Sequence, residues 1–123
     1  RIVFSRREPN GLRRLFLVQG DGTGLVPLTA GAIVADDALG QHEPAFAPDG
    51  SRVAFVQVLA PGVARLLAVD LASGTEQLLF DPLGDVRMPR YAPTADRIFC
   101  GIAQPLVGVV TTFDITRWVA QGR

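Results

Sequence analysis

The sequence predicts an all-β fold, a partial β-propeller of about three four-stranded antiparallel blades. Three observations carry the prediction. A sequence pattern recurs every 45 or so residues, the strands it contains are apolar on both faces, and turn signals fall between them.

The recurrence is seen first in two segments. Pro44-Ala45-Phe46-Ala47-Pro48-Asp49-Gly50-Ser51-Arg52-Val53-Ala54-Phe55 aligns with Pro89-Arg90-Tyr91-Ala92-Pro93-Thr94-Ala95-Asp96-Arg97-Ile98-Phe99-Cys100, from Pro44 to Pro89 a spacing of 45. The opening Arg1-Ile2-Val3-Phe4 matches Arg52-Val53-Ala54-Phe55 at a spacing of 51. The same spacing lays Gly11–Gln19 on Gly62–Asp70, and Val107–Asp114 follows as a third copy 44 residues on.

Each repeated element has the composition of a strand. Ser51–Val58 and Arg65–Leu71 are short, rich in Val, Leu and Phe, and end at turn residues. Val53 and Phe55 point one way, Ala54, Val56 and Val58 the other, and a strand apolar on both faces must be covered on both. Asn10-Gly11, Asp21-Gly22, Asp49-Gly50, Pro61-Gly62 and Ser73-Gly74 punctuate the strands, and the Asx-Gly and Ser-Gly pairs supply the positive φ of tight hairpins. Only Ala30–Leu39 and Thr116–Gln121 carry even a weak helical pattern. Four-stranded sheets that stack face to face around an axis meet all of these demands.

These residues resemble a known family. Pro44-x-Phe46-Ala47-Pro48-Asp49-Gly50-x-x-Val53-Ala54-Phe55, followed by Leu66-Leu67-Ala68-Val69-Asp70-Leu71 and Gly74, is similar to the TolB-like propeller repeat, a WD-repeat-like unit of the Pro-Asp-Gly type. The likeness is most specific in the middle blade, and Thr94-Ala95 replaces Asp-Gly in the third. It implies a single domain: a partial blade over 1–30 without its innermost strand, an inter-blade insertion over 31–40, a complete blade over 41–82, and a third blade over 83–123 with an unassigned last strand. Strands are expected near 1–5, 13–19 and 25–29, then 42–47, 52–58, 64–70 and 75–80, then 86–91, 97–103 and 107–114. The Pro-x-aromatic strand is innermost in such propellers, which puts Phe46 and Tyr91 between blades and makes most of the motif structural.

Fewer than four blades do not close a ring. At ~25 cal/mol per Å2, several hundred Å2 of uncovered apolar face forgoes many kcal/mol and invites aggregation. The ends are therefore expected to be covered by a second copy, giving about six blades, or by other parts of a longer protein. Arg1 lies within a strand and is not an initiator Met, so the chain is expected to be trimmed, processed or excerpted.

Composition narrows the function. The 123 residues are 48% hydrophobic, with 12 basic and 12 acidic residues and a formal charge of +0. Every basic residue is Arg. Mean hydropathy is +0.27. This scattered neutral balance argues against nucleic acid and against a polybasic membrane surface, and no apolar run approaches the ~20 residues of a membrane helix. The single Cys100 sits in an apolar run, as a buried inert thiol would.

The sequence offers no enzyme motif, so no catalytic residues, cofactor or metal site are assigned. It has no Gly-x-Ser-x-Gly elbow, no His/Cys cluster and, lacking Lys, no phosphate-binding Gly-Lys loop. Gly20-Asp21-Gly22-Thr23-Gly24 lies between strands and reads as a hairpin turn, and Asp36-Asp37 as solvated loop charge. His42 has no Ser on a strained turn beside it for a catalytic relay. By the resemblance, His42 and Glu43 open an innermost strand, and Arg87 stands at the repeat position of His42. The three are the candidate ligand- or partner-binding residues, at the mouth of the channel. Trp118, outside the repeat, is expected to pack within the domain or dock on a further blade.

The resemblance implies a non-catalytic scaffold for a protein partner in a periplasmic or extracytoplasmic setting. Two alternatives stand beside it: a gating propeller attached to a prolyl-oligopeptidase-like hydrolase, and a sugar- or small-ligand-binding propeller.

Overall fold

The chain is described by a computed structural model over residues 1–9, 11–28, 40–80, 85–94, 97–103 and 108–114. These residues form ten strands and no helix: β1 (Ile2–Arg7), β2 (Arg13–Val18), β3 (Val26–Pro27), β4 (Gly40–Phe46), β5 (Arg52–Ala60), β6 (Val63–Asp70), β7 (Glu76–Phe80), β8 (Asp85–Tyr91), β9 (Arg97–Ala103) and β10 (Gly108–Asp114). They fall into three sheets in simple chain order, β1-β2-β3, β4-β5-β6-β7 and β8-β9-β10, with all pairs antiparallel. The weak helical stretches, the Asp36-Asp37 pair, Trp118 and the unassigned last strand all lie outside the described residues. So does most of the expected insertion, whose last residue, Gly40, opens β4.

The hairpins are made by the residues that demand them. Asp21 and Asp49 build the same turn: each Oδ1 accepts the backbone N–H (2.9 Å) and hydroxyl (2.7 Å) two residues on, at Thr23 and Ser51. The glycine between takes φ 87 at Gly22 and φ 74 at Gly50. The Gly20–Gly24 run is thus a hairpin turn, tied off by Gln19 N–H on Thr23 O at 2.9 Å. The third sheet closes without an Asp-Gly pair: Ala92 N–H donates to Arg97 O as Ala47 N–H does to Arg52 O, both at 2.9 Å.

The middle sheet packs against a neighbouring sheet on each of its faces. Val53, Phe55 and Val69 pack on Leu15 of β2, joined by the half-buried Phe46. On the other side Ala54, Leu66, Ala68 and Leu79 pack on Val86 of β8 and on Ile98 and Cys100 of β9, joined by Tyr91. Phe46 and Tyr91 therefore sit between neighbouring sheets. Strand β4 touches β1 and β2 on one side and β8 on the other. Contact with both neighbours is what an edge strand nearest a common axis would make, because stacked sheets converge there.

Side chains of β4 also tie the sheets together. Gln41, only 5% exposed, accepts the Leu15 N–H on Oε1 at 3.3 Å, and its carbonyl accepts the Ser5 hydroxyl at 2.8 Å. Glu43 reaches the other way, its Oε2 accepting Met88 N–H at 3.0 Å. Gly40 lets β4 approach the first sheet. It takes φ 78, and a Cβ there would meet the backbone nitrogen and oxygen of Arg13.

The far face of the third sheet differs. Ile98 and Cys100 are buried, while Phe99 between them is 44% exposed on the opposite side. On the first sheet the far face is partly covered from within: Phe4 stacks on Phe16 at 6.0 Å, and Arg6 lies 4.0 Å over the Phe16 ring.

Candidate functional site

The edge strands β4 and β8 share an irregularity. Pairing of β4 with β5 slips between His42 and Ala45, and that of β8 with β9 between Arg87 and Arg90. At each bulge a non-glycine residue takes the left-handed conformation, Glu43 at φ 54 and Met88 at φ 52. Glu43 and Met88 are 45 residues apart, so the bulge belongs to the repeat. A left-handed non-glycine residue costs on the order of 1–3 kcal/mol and persists where surrounding structure holds it. Here the Glu43 carboxylate takes up the amide of Met88, binding one bulge to the next.

His42 and Arg87 are the last residues paired before each bulge, opposite Val56 and Gly101. Both line one cleft of about 160 Å3, together with Arg7, Gly11, Arg13 and Val58. All three sheets contribute to it. Glu43 stands beside His42 on β4 but is not among the lining residues. Two of the three sequence candidates therefore meet in the cleft, and the third joins the strands that carry them.

Sequence reasoning missed Arg7 and Arg13. They are direct cross-strand partners in the β1–β2 hairpin. The Asn10-Gly11 turn signal, centred between them, could have placed them opposite each other. The next pair inward is also two arginines, Arg6 and Arg14. Arg6 has local compensation, a 3.8 Å ion pair with Glu8 and the Phe16 ring beneath it. Arg13 Nη1 donates to the Ser5 carbonyl at 3.4 Å, and neither Arg7 nor Arg13 makes an ion pair among the described residues.

Cys100 lies outside this cleft, 2% exposed in the core between the second and third sheets. Burial pushes its thiol up to about 11, which suppresses the reactive thiolate. Tyr91, also between those sheets, is raised to about 12 by burial. Among the described residues no group of three His, Cys, Asp or Glu side chains is placed to hold a metal ion.

No protein-family model and no curated protein matches the sequence. Solved structures do match. A TolB-type protein of Agrobacterium tumefaciens superposes over 93% of this chain with a TM-score of 0.77 and 18% identity. TolB of Acinetobacter baumannii superposes over 94% with the same TM-score and 15% identity. The β-propeller domain of the Trilobed protease of Pyrococcus furiosus, described as having an open velcro topology, follows over 94% at 0.65 and 11%. The fold is that of a β-propeller segment. The chain spans 38%, 28% and 36% of those three structures, a partial propeller in each case. In this frame the three sheets are blades.

Proposed function

We propose that the chain is part of a non-catalytic β-propeller scaffold that docks a protein partner at the mouth of its central channel, with His42, Glu43 and Arg87 as the docking residues. One observation carries the reading: residues at the same repeat position on two converging inner strands line a single cleft. His42 and Arg87 present donors there, and Glu43 fixes the spacing of the two strands. The TolB-like motif and the structural likeness to TolB proteins support a scaffold, and the same likeness supports a periplasmic or extracytoplasmic setting.

The remaining blades come from further chain of the same protein or from a second copy. The 44% exposed Phe99, on the far face of the third blade, supports a surface that another blade covers.

Site-specific photo-crosslinking tests the docking reading. A photoreactive residue at position 42 or 87, in the protein expressed in its own cells, should capture a discrete protein partner. One at Ser73, in the turn at the opposite end of the middle blade, should not. Absence of adducts at 42 and 87, or the same adducts from all three positions, would refute docking at this end.

A further inference from the structure

The cleft has an unusual charge economy. Arg7 and Arg13 face each other across β1 and β2, Arg87 enters from β8, and His42 adds ring nitrogens from β4. Like charges directly opposite on neighbouring strands repel. The adjacent Arg6–Arg14 pair is relieved by Glu8 and Phe16. Arg7 and Arg13 have no carboxylate partner among the described residues, and both line the same space. Among the described residues no acidic side chain lines that space.

Size limits what can fill it. At ~30 Å3 per water, about 160 Å3 holds roughly five waters, the scale of a single oxyanion group. Cofactor and drug-sized ligands need pockets of roughly 300–1,000 Å3. Guanidinium groups present planar forks of N–H donors that match an oxyanion two bonds at a time, and such charge-assisted bonds are among the strongest available in partly exposed sites.

We infer that this cleft is an oxyanion subsite that receives the carboxylate of an acidic side chain on the docked partner. The inference rests on the docking reading and names its chemistry. Arg7, Arg13 and Arg87 supply the forks, and His42 an additional N–H donor. Binding relieves the Arg7–Arg13 repulsion, so an acidic residue is favoured over a neutral one of the same shape. The site also explains how a chain of zero net charge can select an acidic segment: the positive charge is local and lies where the inner strands meet.

The test uses small probes and the whole chain. N-acetyl-glutamate amide and inorganic phosphate are titrated separately at fixed ionic strength, while the side-chain Nε–Hε NMR signals of the arginines are followed. Saturable shifts confined to Arg7, Arg13 and Arg87 with the glutamate probe are expected. Arg7→Gln and Arg13→Gln should each weaken that binding about tenfold, and Arg13→Lys should retain part of it. N-acetyl-glutamine amide should leave the signals in place. Saturation by phosphate alone, equal shifts at Arg1 and Arg52, or an undiminished response in the Gln variants would each overturn the assignment. Folding of the variants is checked from the amide spectrum, and a collapsed Arg13→Gln spectrum leaves Arg7→Gln, on the exposed end of β1, to decide. Failure here with intact crosslinking from positions 42 and 87 removes only the carboxylate chemistry. Loss of the crosslinks removes the docking reading itself.

Discussion

Replacing Gln41 by Leu should loosen the joint between the first two blades. Gln41 is buried at 5% exposure, and its Oε1 accepts the amide of Leu15, a residue with no exposure at all. The residue that follows β3 serves only half of that peptide position: Leu28 N–H binds the Leu15 carbonyl at 2.9 Å, while the Leu15 amide turns to Gln41. Leu is apolar and of similar volume but offers no acceptor, so the amide is left unpaired in a buried joint. An unsatisfied buried donor costs about 1–3 kcal/mol, and the added apolar group offsets little where no space opens. For 123 residues, about 4 °C of melting temperature accompanies each kcal/mol, so the midpoint should fall by roughly 4–12 °C. Ser5→Ala is the internal comparison. It removes only a hydroxyl that donates to the Gln41 carbonyl and should cost about 0.5–1.5 kcal/mol. Thermal melts give the size, and amide hydrogen exchange at Leu15 gives the cause. A Gln41→Leu chain that melts with the parent and keeps its Leu15 amide protected would refute the reasoning.

Three further outcomes follow from the same geometry. Gly40→Ala and Gly22→Ala both place a Cβ at positive φ, which costs about 1–2 kcal/mol. Only position 40 also drives that Cβ into the Arg13 backbone, so denaturant midpoints should show Gly40→Ala as clearly the worse of the two, and equal losses would contradict the close approach. The turn carboxylates of Asp21, Asp49 and Asp70 are held below the usual carboxylate value, chiefly by the Thr23 and Ser51 hydroxyls and the Ser73 amide. Because their folded values are depressed, the stability they confer is present above about pH 4 and is lost as pH falls through those lower values. Converting all three to Asn should flatten the acid limb of a pH–stability curve, and an unchanged limb would refute the turns as its source. Cys100 should react with a disulfide reagent at least ~100-fold more slowly in the folded chain than in denaturant, given a thiol raised from 9.0 to about 11 and buried. Comparable rates would show that the second and third blades open freely.

The fold could be read because its demands are written locally. Alternation of Val53, Ala54, Phe55 and Val56 requires cover on two faces, and Asp-Gly turns fix where each strand ends. The third blade's turn was harder, since backbone closure from Ala92 to Arg97 forms there without the Asp-Gly signal. Expected strand positions lie within a few residues of those observed, the largest differences being at β3, only two residues long, at the start of β4 and at the ends of β1 and β5. Site features were legible in proportion to their place in the repeat. His42 and Arg87 share a repeat position, so their convergence follows once the blades stack. The bulges escaped notice because Glu43 and Met88, not glycine or asparagine, take the positive φ. Gln41 looks like an ordinary surface polar residue until the Leu15 amide is seen to need it. The Arg7–Arg13 pairing is local, but its meeting with β4 and β8 is a tertiary event that no spacing within one hairpin encodes.

Contacts between methyl groups on the two sides of the middle blade would test the stacking most directly. With selective methyl labelling, NOEs should run from Val53 and Val69 to Leu15 on one side. On the other, they should run from Leu66 and Leu79 to Val86 and Ile98, in the same sample. Both sets together mean that one sheet is covered on its two faces by separate sheets. If one set is present and the other face exchanges with water instead, the chain is a two-layer sandwich and the stacked-blade account is wrong.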